Sequence, residues 1–347
     1  MNAIVINAQG LEPASVVRFV TDYPDPGAPA AGQVRVRTLC SALNHLDLWV
    51  CKGVPGLKLT YPRTSGSDAC GIVEAVGPGV DASWLNKKVI LNAAVLVEPT
   101  YKPGDGPEPV LPDVSMIGEH TEGTNRAAFL APVSNVRALR DDADPVVAAA
   151  FGLTFLTAYS MIVTKGQLRP GQSVLITGIG GGVANAALQI CKHFGARTIV
   201  TSRHQWKLDQ AKQLGADACV LDTGEDWSRS VRQLTGGRGV DMAVDSSGKA
   251  THLKCIKALA RGGAYVTPGC TSGPDATTDL ARIFWNQLRI VGSTMGSNDD
   301  FASITALFNA GALKPVVDKV YPAAAAAEAF ARLSAGEQMG KIVLDWR

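Results

Sequence analysis

QSVLITGIGGGVANAALQIC, residues 172–191, passes from a β-branched run through a glycine-rich turn straight into an apolar helix. Ser173 to Thr177 has strand composition, and Val183, Ala187, Leu188 and Cys191 recur at helical spacing. Between them, Gly178, Gly180, Gly181 and Gly182 let the backbone turn sharply and approach a ligand closely. The open N–H groups and dipole at the start of such a helix favour an anion, so the segment reads as a strand-turn-helix for a nucleotide pyrophosphate. A glycine-rich turn alone is equally compatible with a plain tight turn, and the flanking sequence has to decide.

Downstream, strands and helices alternate. Strands are expected at Arg197–Thr201, Ala218–Leu221, Val240–Val244, Ala264–Thr267 and near Leu288–Val291, with helices at Gln205–Leu214, Trp227–Leu234 and Thr251–Leu259 between them. Six strands with helical crossovers predict an α/β fold whose doubly wound parallel sheet takes its ligand at the carboxyl ends of the strands. The first 140 residues differ, with short alternating runs such as Val34–Leu39 and Gly71–Val76 separated by Pro and Gly clusters. They predict a β-rich domain of barrel or sandwich type. The helix Ala323–Ala335 and the strand Lys341–Trp346 are too small to stand alone and are expected to pack back on that domain. The division is therefore 1–140 with 296–347 for the β-rich domain, and 141–295 for the nucleotide-binding one. The alanine run Ala323–Ala327 reads as part of a solvent-edge helix.

Composition narrows the function. The chain of 347 residues is 46% hydrophobic, enough for two cores, and its net charge of +2 gives no excess that would attract nucleic acid or an anionic membrane. No basic start followed by an apolar block and a cleavage site opens the sequence, so the cytoplasm is the expected location. The uncharged stretch Pro145–Thr164 has the length of a membrane span, but Gly152 and its hydroxyl-bearing residues suit buried helices better. Seven scattered cysteines with no C-x-x-C pair support neither a disulfide framework nor a cysteine zinc cluster.

The end of the second strand bears on which dinucleotide is held. NAD sites place an acid there for the ribose 2′-hydroxyl; this chain has Thr201, Ser202, Arg203 instead. Ser202 can donate a hydrogen bond, Arg203 can meet a phosphate with its fork, and Lys207 adds a charge one turn on. NADP(H) is the expected cofactor. A solvated helix face is the alternative reading of Arg203 and Lys207.

Beyond the turn, the segments ALNHLDLW (42–49), GSDACGIVEAVGPGV (66–80), IGEHTEGTNRAAF (117–129), LTFLTAY (153–159), VDSSG (244–248) and GSTMGS (292–297) make the whole chain similar to the medium-chain dehydrogenase/reductase superfamily. That resemblance implies a GroES-like barrel catalytic domain joined to a Rossmann domain. The spacing Gly178-x-x-Gly181-x-x-Ala184 resembles the quinone oxidoreductase pattern, with Ala184 in place of a usual glycine. The resemblance also implies cofactor contacts from Thr157, near the nicotinamide ribose, and from Ser246, Gly269, Cys270, Thr294 and Met295.

Many members of the superfamily hold a catalytic zinc with a Cys, a His-Glu pair and a later Cys. At the matching places stand Asn44, Ser67 with Asp68, and Leu153, of which only Asp68 is a usual zinc ligand. The stretch that matches the structural zinc lobe, residues 92–116, has no cysteine, and Pro99–Pro112 reads as a long loop. No metal is expected; the alternative is a weak site from His45, Asp68, Glu119 and His120.

Without a Lewis acid, oxidising a simple alcohol is harder than reducing an electron-poor acceptor. NADPH can pass hydride to a quinone or to the β-carbon of an enone when a donor stabilises the developing oxyanion. Asn44 and His45 are the candidates for that donor and for proton delivery, while Asp47 and Trp49 fix the loop and pack beneath it. His45 is equally readable as a helix-start residue bonded to a nearby carbonyl. Two other functions stay open: an alcohol or aldehyde oxidoreductase with a weak or absent metal site, and a catalytically silent NADP(H)-sensing protein. The substrate is a small molecule whose pocket walls come from the loops Leu46–Pro62 and Asn92–Pro112. The strand near Leu288–Val291 is expected at an open sheet edge where it can pair with its twin in a homodimer.

Overall fold

The computed structural model describes residues 1–54, 56–97 and 114–347. The pocket-wall loops 46–62 and 92–112 therefore lie partly, and the proline-rich loop 99–112 wholly, outside the described residues. The chain forms two compact units, one of Met1–Leu153, Ser297–Asn309 and Val317–Arg347, the other of Thr154–Gly296 and Ala310–Val316.

The second unit holds six strands, β1 Ser173–Ile176, β2 Arg197–Ser202, β3 Ala218–Leu221, β4 Val240–Val244, β5 Leu259–Thr267 and β6 Arg289–Gly292. All pairs are parallel and the order is β3-β2-β1-β4-β5-β6, so the winding reverses between β1 and β4. Helices α1 Gly182–His193, α2 Gln205–Gln213, α3 Ser228–Leu234 and α4 His252–Ala258 make the crossovers. Val174, Leu175 and Ile176 of β1 have no exposed surface, as a central strand covered on both faces requires. Strand β5 starts five residues before the position expected from sequence. A register shift on β4 pairs Val240 with Leu259 but Met242 with Ala264, and the exposed Arg261 and Gly262 loop outward between those pairs.

In the first unit, the long strand Gln33–Ala42 pairs with Ala69–Val76, with Ala128–Pro132 and, at its far end, with the C-terminal strand Lys341–Asp345. Lys88–Leu91, Val136–Ala138 and Val317–Pro322 complete this β-rich sheet. Ser297–Asn309 and Val317–Arg347 thus pack in the first unit, while Ala310–Val316, expected with them, belongs to the second. Phe330 and Leu333 of the helix Ala326–Ala335 join Leu48 and Val50 of the helix His45–Lys52, and Ile342 and Leu344, in one apolar cluster. The alanine run is less solvated than expected: Ala323 and Ala326 are buried, because a small side chain lets the helix approach the sheet closely.

Pro145–Thr164 breaks into the helices Pro145–Ala149 and Gly152–Tyr159 and a wider turn Ser160–Lys165. Among the described residues no helix is long and apolar enough to cross a membrane. All seven cysteines are free thiols, with Cys40, Cys51 and Cys70 buried in the first unit and Cys191 and Cys255 in the second.

Candidate functional site

In the second unit the glycine turn leaves β1 and enters α1 with Gly181 as the N-cap residue. Gly178 has φ +62°, a conformation that disfavours side chains, and the Gly181 N–H donates to its carbonyl at 3.0 Å. Side chains built on these two glycines would meet nothing closer than 3.8 Å and 3.6 Å respectively. At Gly181, protein packing therefore does not demand the glycine; the room it leaves fits a phosphate in front of the helix. Asn185, one turn into α1, holds the turn by donating to the carbonyls of Ile179 at 2.6 Å and Gly181 at 3.1 Å.

Parallel topology brings the carboxyl ends of the strands to one edge, and with them the residues expected to touch the cofactor. Ser246 follows β4, Gly269 and Cys270 follow β5, and Thr294 and Met295 follow β6. The Thr271 N–H and hydroxyl both reach the Ser246 carbonyl, and the Ser272 N–H and hydroxyl both reach that of Ser247, stitching two of these loops together. Thr157 is buried and donates to the Met295 sulfur at 3.6 Å; Met295 itself has φ +48°, a strained value for a residue with a side chain.

Beneath the edge lies Asp245, with no exposed surface. It accepts hydrogen bonds from the hydroxyls of Thr177, Thr251 and Tyr265 and from the N–H groups of Ser247 and Gly248. It thereby ties the residue before Gly178 to the turn after β4, to α4 and to β5. Burial first, and then the Asp245 carboxylate, drive the Tyr265 phenol far above its ordinary pKa.

At the end of β2, Ser202 accepts from the His204 N–H at 3.1 Å and keeps its own proton to donate, while Arg203 stands exposed. Lys207 departs from expectation. It is buried, with its ammonium 5.2 Å from the centre of the Trp206 ring, because its long apolar stem lies against protein surface. Of the two charges read as a phosphate site, the structure leaves only that of Arg203 on the surface.

In the first unit, Asn44 is the N-cap residue of the helix His45–Lys52. Its N–H donates to the Asp47 carboxylate at 2.7 Å, and the buried Asp47 also accepts from Asn125 at 3.4 Å, fixing the loop as expected. The Asn44 side chain forms a capping box with Asp47 at the start of the helix. Its Nδ2 donates to Asp68 Oδ2 at 3.0 Å, and its Oδ1 accepts from the ammonium of Lys341. Lys341 also donates to Asp68 Oδ2 at 3.0 Å, and the other Asp68 oxygen accepts from the Leu153 N–H at 2.7 Å. Asp68 and Lys341 are 0% and 4% exposed. A side chain on Gly152 would come within 2.7 Å of Asp68, so a glycine is needed there.

His45 opens the helix with an exposed imidazole that makes no hydrogen bond among the described residues, so the carbonyl-bonded alternative is not what is found. Desolvation by the surrounding protein, then the charges of Lys52 and Lys341, hold its pKa below the ordinary value. Glu119 and His120 sit elsewhere, with His120 Nδ1 accepting from the Met116 N–H at 3.1 Å. Among the described residues no three His, Cys, Asp or Glu side chains come together as a metal site, so His45, Asp68, Glu119 and His120 are not assembled into one.

The family model for an alcohol dehydrogenase GroES-like domain matches residues 30–141, and that for a zinc-binding dehydrogenase matches 182–310. A solved structure described as an NAD-dependent alcohol dehydrogenase is 41% identical, with a TM-score of 0.92 over 100% of both chains. The chain belongs to the medium-chain dehydrogenase/reductase superfamily. Within that superfamily it is 29% identical to the zinc-type alcohol dehydrogenase-like protein YogA of Leptosphaeria maculans over 92% of both chains. It is 27% identical to a 2-haloacrylate reductase of a Burkholderia species over 94% of both chains. As a medium-chain dehydrogenase/reductase it is an oxidoreductase with a GroES-like and a Rossmann-type domain, using a nicotinamide dinucleotide on a small-molecule substrate.

Zinc, which the name of one matching family implies, does not fit the residues present. Asn44 offers an amide already bonded on both sides, Ser67 donates its proton to the Ile117 carbonyl at 2.7 Å, and Leu153 offers no ligand atom. The lone carboxylate, Asp68, already carries a buried ammonium, which would repel a divalent ion at the same oxygen. Sequence reasoning missed Lys341, whose signal was a cation opening an otherwise apolar strand, KIVLD. It also missed Asp245, although VDSSG was singled out, because an acid at a strand end does not reveal how many donors converge on it.

Proposed function

We propose that this chain is an NADPH-dependent, zinc-independent reductase that passes hydride to a quinone or an α,β-unsaturated carbonyl, acting in the cytoplasm as a homodimer. The observation that carries the reading is the Asn44–Asp68–Lys341 cluster. It fills the positions matched to a metal-ligand set with groups that neutralise one another, leaving no electrophile strong enough to hold an alkoxide. Hydride acceptance by a conjugated carbonyl needs only a donor for the developing oxyanion and a proton. The exposed, unbonded imidazole of His45 is suited to relay that proton from solvent, taking one up on one ring nitrogen as it gives one from the other, with Asn44 beside it in sequence. NADPH rather than NADH is supported by the exposed Arg203 and the absence of an acid at the end of β2. The 2-haloacrylate reductase relative carries a name that fits reduction of a conjugated acceptor.

The homodimer is supported by the open edge of β6 and the neighbouring helix Leu280–Asn286, where Leu280, Phe284, Trp285 and Ile290 are 71%, 68%, 72% and 49% exposed. Apolar surface of that kind beside an unpaired strand suits a second copy of the same edge. A single monomeric species in sedimentation at micromolar concentration would remove this part of the reading.

A second reading, an alcohol or aldehyde oxidoreductase, is favoured by the 41% identity to a protein described as an NAD-dependent alcohol dehydrogenase. Oxidation of NADPH and NADH by metal-stripped protein, against a panel of quinones, enones and aldehydes, separates the two. Turnover of quinones or enones with NADPH and no metal is expected. Turnover that depends on added zinc would favour the second reading, and tight NADPH binding without turnover would favour a sensor.

A further inference from the structure

We propose that Arg126, in the first unit, is a binding site for a small monocarboxylate, held by the two terminal nitrogens of its guanidinium. The proposal is independent of the reductase reading. Arg126 is 8% exposed, and among the described residues its guanidinium makes no hydrogen bond and no ion pair. Its Nε is buried without a partner, and the equally unbonded Nη1 and Nη2 are the nitrogens that still meet solvent. A guanidinium stays charged, and a charge taken out of water without a partner is destabilising. Burial pulls the Arg126 pKa below its ordinary value, the direction that lost hydration without compensation gives. Arg63 shows how a buried guanidinium of the same unit is otherwise accommodated. It is 6% exposed, and its Nη2 donates to the carbonyls of Glu119 at 2.6 Å and Thr121 at 2.9 Å.

The fold fixes the group and withholds the chain's own acids from it. Arg126 lies opposite Ala3 in an antiparallel bridge, and the Ala127 N–H donates to the Asn2 carbonyl at 2.9 Å, which ties its backbone to the N-terminal strand Ala3–Ile6. Glu122 is the acid that acts on Arg126 most strongly. Its Oε2, however, accepts from the Tyr23 hydroxyl at 3.0 Å, the Thr64 N–H at 3.0 Å and the Thr64 hydroxyl at 2.6 Å. Asp25, the other carboxylate facing Arg126, accepts from the Gly27 N–H at 2.8 Å and from the Arg35 guanidinium at 2.8 Å. Both acids are engaged by other donors, close enough to attract the cation but not to bond it. They also select among anions. Two fixed negative charges repel a dianion about twice as strongly as a monoanion, which disfavours phosphate. A carboxylate carries a single charge, and its two oxygens match the Nη1–Nη2 fork.

The test uses the full-length chain in mildly alkaline buffer, where inorganic phosphate is mostly a dianion. Sodium acetate replaces sodium chloride at constant ionic strength while the proton–nitrogen NMR signal of the Arg126 Nε–H is followed, assigned by its absence from Arg126→Met or Arg126→Lys. The signal should move saturably with acetate, with a Kd of about 1–50 mM, and the thermal midpoint should rise as the bound anion stabilises the folded chain. Phosphate should act at least about fivefold more weakly than acetate. Arg126→Met should bind acetate at least about tenfold more weakly, the loss of a charge-assisted pair, and its midpoint should no longer respond to acetate. No saturable movement below about 100 mM acetate overturns the proposal, as does an equal acetate response of the midpoint in the parent and in Arg126→Met. Phosphate binding as tight as acetate overturns the assignment to a monocarboxylate. If Arg126→Met does not fold, the titration of the parent decides alone, with Arg126→Lys supplying the assignment.

Discussion

Asp68 and Asp245 are both carboxylates without exposed surface, one in each compact unit, and the chain accommodates them in opposite ways. Asp68 is paired with an ammonium, Lys341, and accepts from two neutral donors, the Asn44 amide and the Leu153 N–H. Asp245 receives five neutral donors, from Thr177, Ser247, Gly248, Thr251 and Tyr265, and among the described residues forms no ion pair. At Asp68 the cation concentrates most of the compensation in one bond, whose loss leaves a full charge to two neutral donors. Dipoles spread it, so each donor is dispensable but together they hold several loops in register. The first arrangement fixes one side chain, and the second shapes a surface.

The comparison is most severely strained by Lys341→Met. It should lower unfolding free energy by about 3–5 kcal/mol, the cost of stranding a buried charge, and Asp68→Asn added to it should restore most of the loss in urea titration. If Asp68 is as well supported by neutral donors as Asp245, the single variant will unfold at nearly the parental urea midpoint. Asp245→Asn comes next. It leaves one acceptor for five donors and turns an NH2 toward some of them, which predicts a loss of about 2–3 kcal/mol and weaker binding of NADPH and NADH alike by calorimetry. Tyr265→Phe, which removes one donor, should cost about 1 kcal/mol.

At the surface of the same sheet edge, Arg203→Ala should weaken NADPH binding about tenfold to a hundredfold, from a charge-assisted bond of ~1.5–3 kcal/mol, and leave NADH within twofold. Equal losses for both would remove the basis for NADPH. Because the Lys207 ammonium lies over Trp206, Lys207→Met should alter the preference far less than Arg203→Ala. The smallest effect concerns pH. Burial lowers the pKa of His252 from its ordinary value of 6.5, so the unfolded chain binds the proton more readily than the folded one. Stability should be level above that value and decline as pH falls below it, a slope that His252→Gln should flatten.

Much of the fold was legible. The alternation after the glycine turn predicted β3 and β4 to the residue, because both are short apolar runs bounded by Gly or Asp. The start of β5 was not, since residues 260–263 bulge out of that strand and the Gly262-Gly263 pair within it reads as a turn rather than as strand. For the site, Ser246, Gly269, Thr294 and Met295 were named through the family resemblance, and parallel topology sends the strand ends that precede them to the edge where the glycine turn lies. What Asn44 does with its amide could not, because its partner Lys341 is 297 residues away and only folding brings them together. Lys207 was read as a charge one helical turn beyond Arg203, and nothing in the sequence says that its ammonium lies 5.2 Å from the centre of the Trp206 ring.

The thiols carry one last consequence. Cys40, Cys51 and Cys70 in the first unit and Cys191 and Cys255 in the second are buried, and burial pushes the thiols of the first three up to about 12. Only a thiolate reacts readily with alkylating reagents, so these groups are silent while the fold holds. Each compact unit therefore contains its own internal clock: after a pulse of reagent and digestion, the peptides that carry label report which half of the molecule opened first.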